Sequence, residues 1–287
     1  MTNKNLLADL KYKVFRSGNP VFFYIGINTI VFVAVALLGV TYFLAGNTGM
    51  VFLDYIRQYF GFPAELAKLP YRFYTVLTYQ FFHEGLFHAL FNMLWLFWIG
   101  RIFMDFLKPR QFHFVYLTGG VMGAVFFAAA YNIFPVFAQS VPYATVIGSS
   151  ASVMAIIVAT ATLVPDYTIS LLFIGNLKLK YLVLAYIVLD LIGIASTNAG
   201  GSFAHLGGAL TGFVYIKFLQ KGLDLGSWLK QKPKLKVVKN DNKKPVAGRT
   251  NAINQKEVDA ILDKISKSGY DKLSKEEKQT LFKASKN

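Results

Sequence analysis

Long apolar runs, separated by more polar connections, recur over roughly the first 220 residues of the chain. Each run falls within the roughly 17 to 25 residues that a helix needs to cross the hydrocarbon core of a bilayer. The pattern predicts an all-α membrane domain over residues 21–220, built as a bundle of six transmembrane helices. The predicted spans cover about residues 22–44, 83–103, 112–134, 147–163, 179–196 and 203–219.

Prolines and short segments set the limits of these spans. Residues 111–165 carry no formal charge and are too many for one span, so Pro135 and Pro142 are expected to divide them into two helices. The apolar segment 169–174 is too short to cross and is predicted to be a surface turn or hairpin. The aromatic, sparsely charged loop 46–82 is expected to lie partly in the membrane interface.

Lysine and arginine are concentrated on one side of the predicted spans. Residues 1–20 form a basic flank before the first span, and Arg101, Lys108 and Arg110 follow the second. Because cytoplasmic loops are enriched in Lys and Arg, this distribution predicts that both termini lie in the cytoplasm. The first apolar run is too long for a cleaved signal peptide and is interpreted as a membrane anchor.

Composition excludes several classes of protein. The hydrophobic fraction of 54% and the mean hydropathy of +0.43 are typical of a membrane protein. The net charge of +15 comes from loops and a tail, so a lipid bilayer is the expected partner and nucleic acid is not. The chain has no cysteine. His83 and His88 would lie about 140° apart on a helix, too far round to share one ion, so no metal site is predicted.

The chain after residue 220 differs in composition from the membrane domain. Residues 221–250 are basic and contain two prolines, as expected of a linker that could touch anionic lipid. In residues 251–287, apolar positions recur at helical spacing before Gly269, and Ser274 and Glu277 have the spacing of a capping box. We therefore expect a small cytoplasmic helical segment, whose role the sequence does not indicate.

Polar residues interrupt three of the spans at one predicted depth. With the N-terminus inside, spans two, four and six enter from the outer face and carry His88, Ser150 and His205 within their first few turns. At 1.5 Å per residue, these side chains would lie roughly 5 to 10 Å below the outer edge of the bilayer. Because polar groups inside a membrane are unfavourable unless they are paired or face a wet cavity, the pattern predicts a shared pocket.

A serine and a histidine on different spans form the candidate reactive pair. Ser150 has Gly148 two residues before it, whereas Ser149 and Ser152 lack such a glycine and are weaker candidates. Small residues on spans four and six allow these helices to approach closely, so Ser150 and His205 can come within hydrogen-bonding distance. Such a dyad lets the imidazole take the hydroxyl proton and return it to a leaving amine.

Hydrogen-bond donors complete the predicted pocket. His88 and Asn92 are four residues apart and share a helix face, from which both can donate to an oxyanion. The backbone N–H groups of Ser149 and Ser150, at the start of a helix, can donate to the same anion. Asp190 is interpreted as a hydrogen-bonding residue that holds spans five and six together, because a dyad needs no carboxylate.

Each of these features has an ordinary explanation when taken alone. Membrane serines often bond to their own helix, histidines anchor helix ends, and glycines serve packing. Their coincidence at one depth on alternate spans favours a functional site.

Three motifs, one on each of these spans, resemble those of rhomboid intramembrane serine proteases of the bacterial six-helix type. They have the forms H-x-x-x-x-H-x-x-x-N, G-x-S and A-H-x-x-G-x-x-x-G, and the resemblance covers about residues 20–220. The matching residues are His83, His88 and Asn92 on span two, Gly148, Ser149 and Ser150 on span four, and Ala204, His205, Gly208 and Gly212 on span six.

The resemblance implies a function and a location. It makes Ser150 the nucleophile, His205 the general base, and the side chains of His88 and Asn92 part of the oxyanion hole with the backbone of the Ser150 turn. The family cleaves peptide bonds in or near transmembrane segments of membrane-protein substrates without a cofactor. The expected location is a bacterial cytoplasmic membrane.

Two departures from the family pattern keep an alternative open. Ala151 follows the nucleophile where the family often has glycine, and the usual Trp-Arg pair of the first outer loop is missing, with Tyr71 and Arg72 nearby. The alternative is a non-catalytic rhomboid-like protein that binds membrane clients. A transporter or channel is less well supported, since the sequence has neither repeated halves nor a charged pathway.

Overall fold

The computed structural model describes residues 6–171, 175–229 and 255–285, and the chain forms two compact units, residues 1–231 and 232–287. The helices of the first unit are α1 Leu6–Phe15, α2 Pro20–Leu44, α3 Gly49–Phe60, α4 Thr75–Thr78, α5 Leu86–Phe106, α6 Pro109–Ile133, α7 Ser150–Leu163, α8 Leu179–Gly193 and α9 Ala199–Gln220. Its strands are β1 Phe62–Pro63, β2 Thr145–Val146, β3 Thr168–Leu171 and β4 Gly175–Lys178. The second unit contains α10 Gln255–Ser268 and α11 Lys275–Ala284.

A helix occupies each of the six apolar runs of the sequence. Among the described residues, α2, α5 and α6 are long and apolar enough, by length and composition alone, to cross a membrane. The helix α7 is apolar but has only 14 residues. The described part of the chain therefore has the helical architecture of a membrane protein.

Three helices that contribute to the site begin away from the predicted positions. α5 begins at Leu86 and α7 at Ser150, each three residues later than predicted. Gly148 has φ +128°, which turns the chain just before α7, whereas Gly85 before α5 has an ordinary extended backbone. α9 begins at Ala199, four residues earlier than predicted, because the glycines that suggested a loop instead let its first turn pack on α6.

The short helix α7 lies at the centre of the membrane unit. It packs against α5, α6, α8 and α9, and every residue from Ala151 to Ala161 is buried. A helix that is apolar on all sides can be enclosed by other apolar helices in this way. Ser150, the first residue of α7, is therefore held by the whole bundle.

Small residues allow α6 and α9 to approach α7 closely. A Cβ atom on Gly208 or Gly212 of α9 would overlap the carbonyl oxygen of Ala151 or Ala155, respectively. A Cβ on Gly123 of α6 would overlap the side chain of Ala151 from the other side. The three helices are thus in backbone contact, which is the packing expected of small-residue stripes in membranes.

The segment between α2 and α5 contains more structure than the predicted loop. Besides α3 and α4, it includes β1, which pairs with β2 in the antiparallel register Phe62↔Val146. The guanidinium of Arg72 donates to the carbonyl of Gln58 at 2.5 Å, and the hydroxyl of Tyr74 donates to the carbonyl of Tyr59 at 2.8 Å. These bonds tie the segment to α3 without a Trp-Arg pair.

The predicted surface hairpin after α7 is confirmed as the antiparallel pair β3 and β4. The ammonium groups of Lys180 and Lys178 lie 2.8 and 3.1 Å from the Asp166 carboxylate. Their hydrogen bonds lower the pKa of Asp166 below its ordinary value. This exposed ion cluster marks the end of α7 opposite to Ser150.

Both ends of the chain contain helices. Residues 6–15, predicted only as a basic flank, form α1, whose side chains are exposed except for Val14 beside Gly26 of α2. In the second unit, α10 ends before Gly269, which has φ +81°, and Ser274 and Glu277 make both bonds of the predicted capping box. Most of the predicted linker 221–250 lies outside the described residues.

The helix contact at Gly208 makes a testable prediction. Gly208→Ala should destabilise the protein by about 1 to 3 kcal/mol, because the added methyl group must push α9 away from the α7 backbone. Thermal unfolding in detergent micelles would measure this as a lower midpoint. Gly49→Ala is the matched control, since no atom lies within 4 Å of its added Cβ. Equal midpoints for the two variants would contradict the close packing.

Candidate active site

The turn before α7 fixes the position of Ser150. Strand pairing at Val146 leads into Gly148, whose N–H donates to the carbonyl of Tyr79 at 3.0 Å. A Cβ at Gly148 would fall 2.7 Å from the ring of His88, so glycine is needed for space as well as for its φ of +128°. This turn brings the start of α7 against the first turn of α5.

The three serines near the start of α7 have different surroundings. Ser149 is fully buried, and its hydroxyl lies 3.1 Å from the Nε2 atom of His83. Ser152 is also fully buried and donates to the side-chain oxygen of Gln80 at 2.9 Å. Ser150 is partly exposed and lines a cavity. Of the three hydroxyls, that of Ser150 is therefore the one placed to meet another molecule.

The first two turns of α5 supply donors to the same cavity. His88 and Asn92 both line it. The amide nitrogen of Asn92 donates to the carbonyl of His88 at 2.8 Å, which fixes the amide and leaves its second N–H available. At the start of α7, the first N–H groups have no partner within the helix. The cavity thus has donors from two helices.

His205 of α9 also lines the cavity, and its orientation is set by a neighbouring helix. Its Nδ1 atom lies 2.8 Å from the Oδ1 atom of Asp190 on α8. The Asp190 side chain is 11% exposed and that of His205 is 23% exposed. The predicted hydrogen bond of Asp190 between spans five and six is confirmed, and the residue that Asp190 contacts is His205, the candidate base.

The cavity joins these groups in one space of about 1010 Å³. This volume is at the upper end of the roughly 300 to 1,000 Å³ of typical small-molecule pockets, and the cavity is partly open. At its rim, the guanidinium of Arg57 lies 3.0 Å from the carboxylate of Glu84. Trp95 of α5 and Tyr186 of α8 meet edge to face at 5.6 Å in its wall. Such a space can hold a segment of polypeptide.

His83 is placed differently from the prediction. It precedes α5 and is not on that helix, so the predicted separation of about 140° around one helix is wrong. Its ring meets that of His88 edge to face at 5.2 Å. The described residues contain no group of three or more His, Asp or Glu side chains that could hold a metal ion. His83 contacts the serine turn through Ser149, behind the cavity.

Two contacts in the site could not be predicted from the sequence. The bond between Asp190 and His205 depends on the register of two helices, which the sequence does not specify. An acidic residue within a span did indicate that Asp190 has a special role. The pair of Arg57 and Glu84 joins α3 to the start of α5, and no spacing rule links residues so far apart.

Chemically, the cavity combines a hydroxyl, an imidazole bonded to a carboxylate, and donors from α5 and the α7 turn. Such a set suits a nucleophile with a base and a place for a developing negative charge.

Two family models match parts of the chain. The family model described as the Rhomboid domain matches residues 70–222. A second model, described as a family of unknown function (DUF6576), matches residues 249–287.

Several curated proteins are similar to part of the chain. The mitochondrial presenilin-associated rhomboid-like protein of Bos taurus is 29% identical over 170 residues, which are 56% of this chain and 41% of that protein. The Homo sapiens protein of the same name is 29% identical over 173 residues, with the same shares of the two chains. The Danio rerio protein A is 28% identical over 167 residues, 55% of this chain and 39% of that protein. The matched region is thus about two fifths of each relative's length.

The turn at Gly148 makes a prediction about this site. Gly148→Ala should lower the thermal midpoint and displace His88, because the methyl group would both strain φ and meet the imidazole. The expected loss is about 1 to 3 kcal/mol. Gly85→Ala is the control, since Gly85 has an extended backbone with nothing within 4 Å of an added Cβ. A Gly148→Ala protein as stable as Gly85→Ala would contradict the described turn.

Proposed function

The chain belongs to the rhomboid family, and from this premise we propose that it is an intramembrane serine endopeptidase. Its substrates are membrane proteins, which it hydrolyses in or near their transmembrane segments. The observation that carries the proposal is that Ser150 and His205, from different helices, line one cavity with His88 and Asn92.

Ser150 and His205 act as nucleophile and general base. As the Ser150 hydroxyl attacks the scissile carbonyl carbon, its proton passes to Nε2 of His205, and a bond forms between Oγ and that carbon. When the C–N bond breaks, His205 gives the proton to the leaving amine. Water then attacks the acyl-enzyme with His205 again as base, which releases the carboxylic acid and restores the serine.

The donors around Ser150 stabilise the tetrahedral intermediate. Its oxyanion accepts from the side chains of His88 and Asn92 and from the backbone N–H groups of Ser149 and Ser150. The position of the serine at the start of α7 favours negative charge there. Asn92 is already fixed by its bond to the His88 carbonyl, so little reorganisation is needed.

The length of α7 supports catalysis within the depth of the bilayer. Its 14 residues extend about 21 Å, against a hydrocarbon core of about 30 Å. If the end near Asp166 and its two lysines lies at one boundary, Ser150 lies about 9 Å below the other. Water reaches Ser150 through the open cavity from that other side.

The distribution of basic residues orients the chain in this proposal. Six helices cross the bilayer, and both termini lie on the side of the lysine-flanked hairpin, because Lys and Arg are enriched in cytoplasmic loops. Ser150 then opens towards the outer face.

A cleavage assay tests the proposal. Purified protein in proteoliposomes should cleave a helical model substrate that contains glycine or alanine, and Ser150→Ala should lower the rate at least about 10³-fold by removing the nucleophile. Ser140→Ala, at an exposed serine in the loop leading to the same turn, should cleave like the wild type. Cleavage retained in Ser150→Ala would reject the mechanism. A wild-type protein that binds such a substrate without cleaving it would favour the alternative of a non-catalytic client-binding protein.

A further inference from the structure

Asp190 is an unusual residue for its position. It lies on α8 within an apolar segment, is 8% exposed, and its Oδ1 atom lies 2.8 Å from Nδ1 of His205. Its Oδ2 atom is buried and has no hydrogen-bond partner among the described residues. Burying a carboxylate in a membrane is energetically unfavourable unless it is paired. The hydrogen bond between Asp190 and His205 is therefore the feature that needs an explanation.

The helix register sets this bond. α8 and α9 are antiparallel, and one turn further on, Gly193 of α8 faces Ser202 of α9, where a Cβ on Gly193 would lie 2.5 Å from the serine hydroxyl. The pairs Gly193–Ser202 and Asp190–His205 are therefore successive contacts of one closely packed helix pair. The close approach at Gly193 fixes how far the carboxylate can reach.

The rest of α8 contributes little burial near the site. Its buried residues are Leu179, Leu182 and Asp190, and the two leucines lie in its first turn. Asp190 is thus the buried residue of its second half. A side chain that served packing alone in this place would be apolar, so the carboxylate indicates a requirement set by its histidine partner.

We propose that Asp190 is a positioning residue for the reaction, which extends and rests on the proposed function. As a carboxylate it accepts the Nδ1–H of His205, which selects the tautomer whose Nε2 lone pair faces the cavity. It also holds the ring plane and stabilises the imidazolium that forms when Ser150 loses its proton. No atom is transferred to Asp190. The reaction thus uses Asp190 together with Ser150 and His205.

The tautomer can be read without any substrate. The chain has four histidines, so the ¹⁵N signals of His205 in histidine-labelled protein can be assigned by comparison with His205→Ala. In the wild type, the neutral imidazole of His205 should carry its proton on Nδ1. Asp190→Asn should move it to Nε2, because the asparagine amide donates to Nδ1 where the carboxylate accepted. A wild-type His205 protonated on Nε2 would overturn the proposal, whether or not the protein cleaves substrate.

Kinetics of the same variants test the consequence. Asp190→Asn should lower kcat by about 10²- to 10⁴-fold with little change in KM, since a change of tautomer removes the base but not the binding surface. The thermal midpoint should stay near that of the wild type, because asparagine keeps the size of the residue and one hydrogen bond to the ring. Asp190→Glu should recover part of kcat.

Controls separate this role from a structural one. Asn132→Ala removes a bond from α6 to the carbonyl of Ala64, outside the residues that line the cavity, and should leave kcat unchanged. Asp190 has no positioning role if Asp190→Asn cleaves as fast as the wild type. The same conclusion follows if Asp190→Asn and Asp190→Glu both lose kcat and both show a lower thermal midpoint, since the loss of activity then comes from loss of stability. Failure of the proposed function gives a different result, because in that case the wild-type protein does not cleave the substrate.

Discussion

The membrane unit depends on the close approach of α6 and α9 to the short central helix α7. Only residues with little or no side chain allow it, because Gly208 and Gly212 meet carbonyl oxygens of α7, while Gly123 meets Ala151 from the other side. Between transmembrane helices, such van der Waals contact replaces the hydrophobic effect that drives packing in water. It also places a serine on α7 and a histidine on α9 at the same cavity. The packing of the helices and the placement of Ser150 and His205 at one cavity therefore have the same cause.

A polar cavity within apolar helices needs its groups to be satisfied. Here the serine turn is supported from behind by His83 and Gln80, which bond to the two buried serines, so that the Ser150 hydroxyl remains for the cavity. On the other side, Asp190 bonds to His205. His205 and the serine turn are thus held by Asp190, His83 and Gln80, which do not line the cavity, and Asn92 is held by the carbonyl of His88. Such support from surrounding residues preorganises a polar site.

Much of this arrangement could be predicted from the sequence because its causes are local. Apolar runs gave six helices, and polar residues at similar positions on alternate runs indicated that Ser150, His205, His88 and Asn92 share a space. The capping box at Ser274 needed only four residues to be recognised. Helix starts were less predictable, since Gly148 ends the preceding loop through a bond to Tyr79, which is distant in sequence. For the same reason the Asp190–His205 bond was recognised only as a contact between two helices, because the register of α8 against α9 decides which side chains meet.

The most direct test of this account is to map the residue modified by an isocoumarin inhibitor, which acylates activated serines, by mass spectrometry of the intact membrane protein. The account predicts one adduct, on Ser150, that forms in the wild type and is lost in His205→Ala. No adduct, an adduct on Ser149 or Ser152, or labelling that does not depend on His205 would contradict the claim that Ser150 and His205 form the reactive pair.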